Sequence, residues 1–334
     1  MTARKRPTAY GLALTLLFAG MVAAAVLGLR YGSARLSLQQ VIEGLFRTDT
    51  HAPETQILWV VRLPHVAACL LAGIGLAVSG LLLQTATDNP LAGPNVIGVN
   101  AGAGFAMVLT MCFVPMAYSL LPLAAFVGAF VCTVLIVGLA GKAGGSRVTV
   151  VLAGVAVSTL LSAGISLLKL VDPELSIAYN YFSVGGVSGV SFDALLIPGV
   201  IILAVLAAAA VLAGRLNLLC LGDAMAHSLG VRVKALRMGA LLLASAGAAA
   251  AVSFAGLLGF VGLMVPHISR KLLGSADVRK LLPATAALGG TLVVLADLLG
   301  RVLFAPSEIP AGIITALIGA PFFFVLLLQR RNRL

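Results

Sequence analysis

The sequence predicts an all-α protein that crosses a membrane many times. Apolar residues make up 60% of its 334 residues and charged residues 10%, and the mean hydropathy is +1.11. This composition excludes a soluble globular protein. The apolar runs are continuous over about 20 residues, as in membrane helices, whereas the strands of a membrane barrel alternate over about ten. Glycine, at 37 residues, exceeds its usual share of about 7%, and small residues let membrane helices pack closely.

Ten apolar segments are predicted to cross the membrane. The first follows Arg4, Lys5 and Arg6 and is longer than the apolar core of a secretory signal peptide, which is about 7–15 residues, so we expect an uncleaved helix. Two polar segments, 30–56 and 172–193, are expected on the outside. The ten predicted segments are 8–29, 63–83, 95–113, 120–140, 148–170, 194–213, 233–253, 257–272, 282–304 and 313–328.

The distribution of cationic residues sets the number of crossings. A run of 32 residues without a formal charge separates Arg237 from Arg270; as one helix it would extend about 48 Å, well beyond the hydrocarbon core of about 30 Å. Cations flank the run on both sides, and cytosolic loops carry an excess of Lys and Arg. The run is therefore predicted to cross twice, turning at Gly256, Gly259 and Gly262. With ten crossings, 16 of the 22 Lys and Arg residues and both termini are expected in the cytosol.

Several classes of function are excluded. The net charge of +11 reflects cations at helix ends, so it does not indicate nucleic-acid binding. The four cysteines lack metal-ligand spacing, and no metal site or bound cofactor is predicted; they are Cys69, Cys112, Cys132 and Cys220. The stretch GLAGKA at 138–143 resembles a phosphate-binding loop, but its glycine spacing is wrong and it lacks the Ser or Thr that binds Mg²⁺. We therefore expect no ATPase site and no enzymatic activity in this chain.

The longest polar interruption, 214–237, lies between two groups of apolar segments. A short helix is predicted inside it, with Asp223 as its N-cap and Gly230 as its C′ residue. Such a helix is too short to be stable alone, so it must pack on something. Two interpretations are open: a cytosolic connector that rests on lipid headgroups, or a docking surface for a partner protein.

Charged residues within membrane segments are few. Asp297 and Arg301 are four residues apart and share one helix face, either as a self-neutralising pair near the outer surface or, for Arg301, as an external contact. No carboxylate falls clearly at mid-membrane, where an ion-coupled carrier would need one. The energy source is therefore expected to lie in another protein. An ion-coupled secondary carrier and a membrane enzyme or assembly protein remain as alternatives.

Many motifs resemble, in the same order, the FecCD family of permease subunits of ATP-binding-cassette importers for ferric siderophores, haem and cobalamin. The similarity extends over nearly the whole chain from Arg62 onward. The motifs are RLPH (62–65), SGLLLQ (79–84), NPLAGP (89–94), GVNAGAG (98–104), VLAGVAVS (151–158), LGDAMAHSLGV (221–231), GFVGLMVPHISRKLLG (259–274), ADLLGR (296–301) and EIPAGIITALIGAPFFFVLLL (308–328).

The resemblance implies a fold and a set of partners. It implies one permease domain, 1–334, with ten helices in which helices two to five and seven to ten form an inverted repeat. Its regions would be 1–56, helices two to six at 57–213, a coupling loop at 214–237 and helices seven to ten at 238–334. The partners implied are a second copy, membrane lipid, a binding protein on the outside and two ATPase subunits that bind ATP and Mg²⁺. The location implied is the bacterial inner membrane, and the cargo is a metal chelate, with ferric siderophores first, then haem and cobalamin.

The resemblance also implies roles for single residues. His65 replaces the second Arg of the family's usual RLPR, which would make that contact pH-dependent. Asn89 and Pro90 are also compatible with an ordinary Asn-Pro turn. The residues implied to contact the ATPase are Leu221, Gly222, Asp223, Ala226, Leu229 and Gly230; those implied to dock the binding protein are Arg62, His65 and Arg301; those implied to form a cytosolic gate are Asn89, Leu91, Arg147 and Val148.

Overall fold

The computed structural model describes residues 7–32, 36–46, 52–114, 117–304 and 307–331, and all regular secondary structure in them is helical. Short 3₁₀ turns lie at Pro94–Ile97 and Tyr118–Leu120. The α-helices are α1 Pro7–Arg30, α2 Leu38–Phe46, α3 Pro53–Gln56, α4 Leu63–Thr87, α5 Val99–Phe113, α6 Leu121–Lys142, α7 Arg147–Val171, α8 Glu174–Val184, α9 Phe192–Leu219, α10 Asp223–Ser228, α11 Val233–Ala255, α12 Val261–Leu273, α13 Val278–Leu303 and α14 Ala311–Arg331.

A helix lies at each of the ten predicted membrane segments. Seven helical stretches in the described part of the chain are long and apolar enough to span a bilayer. Six of them correspond to α1, α6, α7, α9, α11 and α13, and the seventh is Pro53–Thr87. The remaining three predicted segments correspond to the shorter helices α5, α12 and α14. The structure thus confirms an all-helical membrane protein with at least seven membrane-length helices.

The predicted break in the long uncharged run is present. Helix α11 ends at Ala255 and α12 begins at Val261. The turn between them has two residues with positive φ, Gly256 at 64° and Phe260 at 63°. The non-glycine residue Phe260 is unusual in this conformation.

Other boundaries differ from the prediction. A π-helical stretch, Ile57–Arg62, joins α3 to α4, so the second segment begins at Pro53 rather than at residue 63. The third begins only after Gly98, whose φ of 73° separates a 3₁₀ turn from α5. The two segments predicted as outside loops contain α2 and α8, which are too short to span a membrane.

Helix α4 lies at the centre of the molecule and is the most buried of the long apolar helices. Two glycine contacts allow this packing. A Cβ on Gly73 would collide with the backbone of Gly289 in α13, and a Cβ on Gly80 would collide with the backbone of Gly262 in α12. Close backbone approach through small residues is how helices associate in lipid, and it explains the high glycine content.

Candidate functional site: the connector between α9 and α11

The connector contains the predicted short helix, α10. Gly230 is its C′ residue, with φ at 79°; its N–H donates to the carbonyl of His227 and that of Val231 donates to Ala226. These two bonds form a Schellman motif, which confirms the predicted helix end. The predicted N-cap was wrong. Gly222, with φ at 91°, occupies the cap, and Asp223 is the first helical residue.

One face of the connector exposes apolar side chains. Leu221, Met225 and Leu229 are 58%, 55% and 55% exposed. Met225 and the C-cap residue Leu229 are four residues apart on one face of α10, and Leu221 directly precedes the Gly222 cap. Ala226 is fully buried beneath them, so it can support this surface but is not itself at the surface. Contiguous exposed apolar side chains mark sites that contact another protein or a membrane, which agrees with both interpretations of this connector. Met225 lies in the family motif but is not among the residues implied to contact the ATPase; its four-residue spacing from Leu229 would have found it.

Asp223 links the connector to Arg147 at the start of α7 and, through Arg147, to the loop after α4. Its Oδ1 accepts hydrogen bonds from Arg237 Nη2 at 2.6 Å and from Arg147 Nη2 at 3.3 Å. Arg147, at the start of α7, also donates through Nη1 to Oδ2 of Asp88 at 2.8 Å. The hydrogen bond from Arg237, aided by the charge of Arg147, lowers the pKa of Asp223. A predicted coupling residue and a predicted gate residue are therefore in direct contact.

Arg237 is the buried end of this network. The residue is only 3% exposed. Its Nε donates to the carbonyl of Ala86 at 3.1 Å and its Nη1 to that of Gly145 at 3.5 Å. One guanidinium thus joins the end of α4, the loop before α7 and the connector helix. The sequence marked Arg237 only as a cytosolic cation, because burial of its side chain depends on packing among three distant segments.

The predicted gate residues lie in and beside the loop after α4. The loop begins with Asp88, which has a left-handed φ of 47°. Asn89 Oδ1 accepts from the N–H of Leu91 at 3.0 Å, so the side chain stabilises a local turn, in agreement with the Asn-Pro alternative. Val148 is 66% exposed. Within this group, the Asp88–Arg147 ion pair directly connects the two loops.

The predicted docking residues Arg62, His65 and Arg301 meet at the opposite end of α4 and α13. Arg62 Nη1 and Arg301 Nη1 donate to the carbonyl of Tyr31 at 2.6 and 3.1 Å. Asp297 binds His65 Nε2 through Oδ1 and Arg301 Nε through Oδ2, each at 2.8 Å. The self-neutralising pair is thus confirmed, with His65 as a further partner. All three predicted docking residues are buried, so the backbone near Tyr31 would have to move before they could contact another protein.

Cys69 adds a thiol to this cluster. Donor atoms of His65, Cys69 and Asp297 lie within 4.8 Å of one another, the one such group in the described parts of the chain. Both oxygens of Asp297 are already engaged, and the Arg301 guanidinium beside them disfavours another cation. We interpret this group as a charge-neutralising cluster rather than a metal centre.

The helices and the connector define a class of protein: a multi-pass membrane protein whose α9–α11 connector exposes apolar side chains. Comparison with known proteins is consistent with this class. The model of the FecCD transport family matches residues 20–329. The chain belongs to this family, whose members are permease subunits of ATP-binding-cassette transporters without an ATPase site of their own.

Individual relatives show the same family. The hemin transport system permease protein HmuU of Yersinia pestis is 35% identical over 315 residues, covering 91% of this chain and 93% of HmuU. The Fe(3+)-citrate import system permease protein YfmE of Bacillus subtilis is 36% identical over 327 residues, covering 97% and 96%. A solved structure assigned to the metal-chelate type of ABC transporter, in an inward-facing conformation, matches with a TM-score of 0.85 and 33% identity over 95% of this chain and 98% of that one.

Proposed function

We propose that this chain forms the membrane pathway of an ATP-driven importer that moves a metal chelate across the bacterial inner membrane. Family membership supports the class of transporter, and the Asp223–Arg147 contact is the observation that carries the coupling mechanism. Relatives named for hemin and for Fe(3+)-citrate support an iron chelate as cargo. Ferric siderophores are our first candidate class, followed by haem and cobalamin.

The proposed topology has ten crossings with both termini in the cytosol. It counts α5, α12 and α14 as crossings in addition to the seven membrane-length helices. Helices two to five (α4–α7) and seven to ten (α11–α14) would then form two repeats of opposite orientation. The turn at Gly256–Phe260 supports this map, because it divides the long uncharged run into two helices that return the chain to the cationic side.

The proposed assembly contains two copies of this chain, two ATPase subunits and an external binding protein. The exposed side chains of Leu221, Met225 and Leu229 would seat in the ATPase, which supplies the ATP and Mg²⁺ site that this chain lacks. Helix α7 exposes large apolar side chains, including Leu152 and Leu160 at 63% and 71%, which lipid or the second copy would cover. Arg62, His65 and Arg301 would contact the binding protein once the backbone near Tyr31 moves.

The proposed mechanism transmits motion of the ATPase through the connector. A displacement of α10 moves Asp223, and Asp223 pulls on Arg147 and Arg237, since charge-assisted hydrogen bonds are strong and directional. Arg147 then displaces Asp88 at the start of the gate loop. This route requires no chemical step in the permease; its residues change position only.

Ion-coupled transport is less well supported by the geometry. Such a carrier needs a buried carboxylate that can exchange its cation or proton. Asp297 is the one buried carboxylate among the described residues, and both of its oxygens are held by His65 and Arg301.

The proposal is tested by reconstitution in liposomes with the cognate ATPase and binding protein. We expect uptake of a ferric siderophore, hemin or cobalamin that requires ATP and stops when the ATPase is omitted. Uptake that persists without the ATPase, and that follows an ion gradient, would instead establish the secondary carrier. Comparing the three cargoes at equal concentration identifies the class of chelate.

A further inference from the structure

A groove opens on the lipid-facing side of the bundle between α1, α9 and α13. Its cavity is about 420 Å³. The walls are apolar and include Phe18 and Met21 of α1, Leu206 and Ala210 of α9, and Ala286 of α13. Phe18 and Ala210 are exposed, so the groove is open to the surrounding acyl chains.

One charged side chain lines this groove, Arg279 in the first turn of α13. Its guanidinium crosses the end of the groove and lies against α9, where a Cβ on Gly214 would collide with Nη2. The apolar cavity therefore ends at a cation on the side of the molecule that carries the connector.

The groups around Arg279 leave its charge available. The nearby carboxylate of Asp277 accepts hydrogen bonds from Asn217 Nδ2 at 2.7 Å and from the N–H of Arg279 at 3.0 Å, so it caps the α13 N-terminus. Lys280 adds a second cation, 5.8 Å from the ring of Tyr10. Among the described residues neither Arg279 nor Lys280 has an ion-pair partner, and both are exposed.

We propose that this groove binds an anionic phospholipid, with one acyl chain between α1 and α9 and its phosphate on Arg279. Arg pairs with phosphate through parallel hydrogen bonds, and basic pockets between membrane helices on the cytosolic side select anionic headgroups. Lys280, whose amine lies beside Tyr10 of α1, adds a second positive charge at this end of the helix bundle. A lipid in this position secures α1, which shares with α7 the smallest buried fraction of the membrane-length helices.

Binding is measured on the full chain purified in detergent, with phosphatidylglycerol or phosphatidylcholine of identical acyl chains. We expect phosphatidylglycerol to raise the melting temperature and to remain bound in native mass spectra. Arg279→Gln is expected to weaken this binding about fivefold, the contribution of one basic residue at a membrane surface, and to leave phosphatidylcholine unaffected. Arg215→Gln, also at an exposed site near the end of α9, is the matched control and should change nothing.

Two further variants test the groove itself. Ala210→Trp fills the cavity from an exposed position and is expected to abolish retention of phosphatidylglycerol, whereas Ala207→Trp, exposed one turn earlier on α9 but outside the groove, should retain it. The proposal would be overturned if phosphatidylglycerol and phosphatidylcholine raised the melting temperature equally, or if both Trp variants retained phosphatidylglycerol equally. It would also be overturned if Arg279→Gln and Arg215→Gln lost phosphatidylglycerol binding to the same extent. The assay needs no ATPase or cargo, so its result is independent of the uptake experiment.

Discussion

Asp223 has two cationic partners, Arg147 and Arg237, that come from different helices. Arg237 is buried while Asp223 is about half exposed. The pair therefore combines a fixed cation with an anion that moves with the connector. This arrangement suits a contact that transmits displacement, because the buried partner cannot follow freely.

The Asp223–Arg237 contact leads to a prediction for coupling. Asp223→Asn and Arg237→Gln should each raise the amount of ATP hydrolysed per chelate imported. The rise in the double variant should be no larger than the rise in the worse single variant. The coupling free energy between Asp223 and Arg237 that we expect from this double-mutant cycle is about 1 kcal/mol. Arg232→Gln, at an exposed position in the same connector, serves as the control. Additive effects in the double variant would contradict a direct contact between Asp223 and Arg237 in coupling. So would an unchanged ratio of ATP hydrolysed to chelate imported in the single variants.

The pH dependence of this contact follows from the lowered pKa of Asp223. A carboxylate whose pKa is lower in the folded than in the unfolded protein stabilises the fold above its unfolded pKa, near 3.9, and loses that contribution as the pH falls through the folded value. The difference in melting temperature between the wild type and Asp223→Asn should thus be constant from about pH 8 to 5, begin to shrink near pH 4 and vanish only below the lowered pKa of the folded protein. A loss near pH 6.5, where unperturbed histidines titrate, would contradict the assignment to Asp223.

Asp297 is expected to contribute more to the stability of the fold than to the affinity for the binding protein. Asp297→Ala leaves the buried Arg301 without its carboxylate, and breaking a buried pair costs about 3–5 kcal/mol. Asp193→Asn, at an exposed carboxylate on α9, should change the melting temperature little. If Asp297→Ala unfolds at the wild-type temperature and loses only affinity for the binding protein, the cluster is a docking site and its structural role is refuted.

Ion pairs within one helix could be predicted from the sequence, whereas ion pairs between distant segments could not. The i, i+4 pair of Asp297 and Arg301 was predictable, because helical spacing alone places them together. The contacts of Arg147 with Asp88 and Asp223 span 59 and 76 positions and depend on how three helices pack. Local spacing carries no information about such contacts.

Among the elements, α4 packs against its neighbours through glycine. We predict that Gly80→Ala lowers the melting temperature, since the added methyl meets the Gly262 backbone and overpacking costs about 1–3 kcal/mol. Gly239→Ala on α11 has open space around its Cβ and should be neutral, or stabilising by up to about 1 kcal/mol. Equal effects of the two substitutions would show that the α4–α12 contact is looser than described.

Helices differ in how well the sequence predicts them. Long apolar segments such as α11, predicted at 233–253 and observed at Val233–Ala255, were placed well because length and hydropathy determine a membrane helix. Helix α9 extends to Leu219, six residues into the predicted loop. Helices α2 and α8 were missed because they are short and lie in segments whose polarity suggested loops. The π-helical stretch before α4 was also missed, since its composition continues that of the neighbouring α-helix.

At the scale of the whole molecule, the topology depends on parity: two crossings between Arg237 and Arg270 keep the connector and the loop before α13 on one side. Single cysteines at exposed positions test this in a background without native cysteines, because Cys220 is exposed. Ser228→Cys and Ala276→Cys should react with a membrane-impermeant maleimide only from the cytosolic side. Ser119→Cys and Ser188→Cys should react only from the outside. Labelling of Ser228→Cys and Ala276→Cys from opposite sides would exclude the ten-helix map, because a single crossing would then separate the connector from the loop before α13.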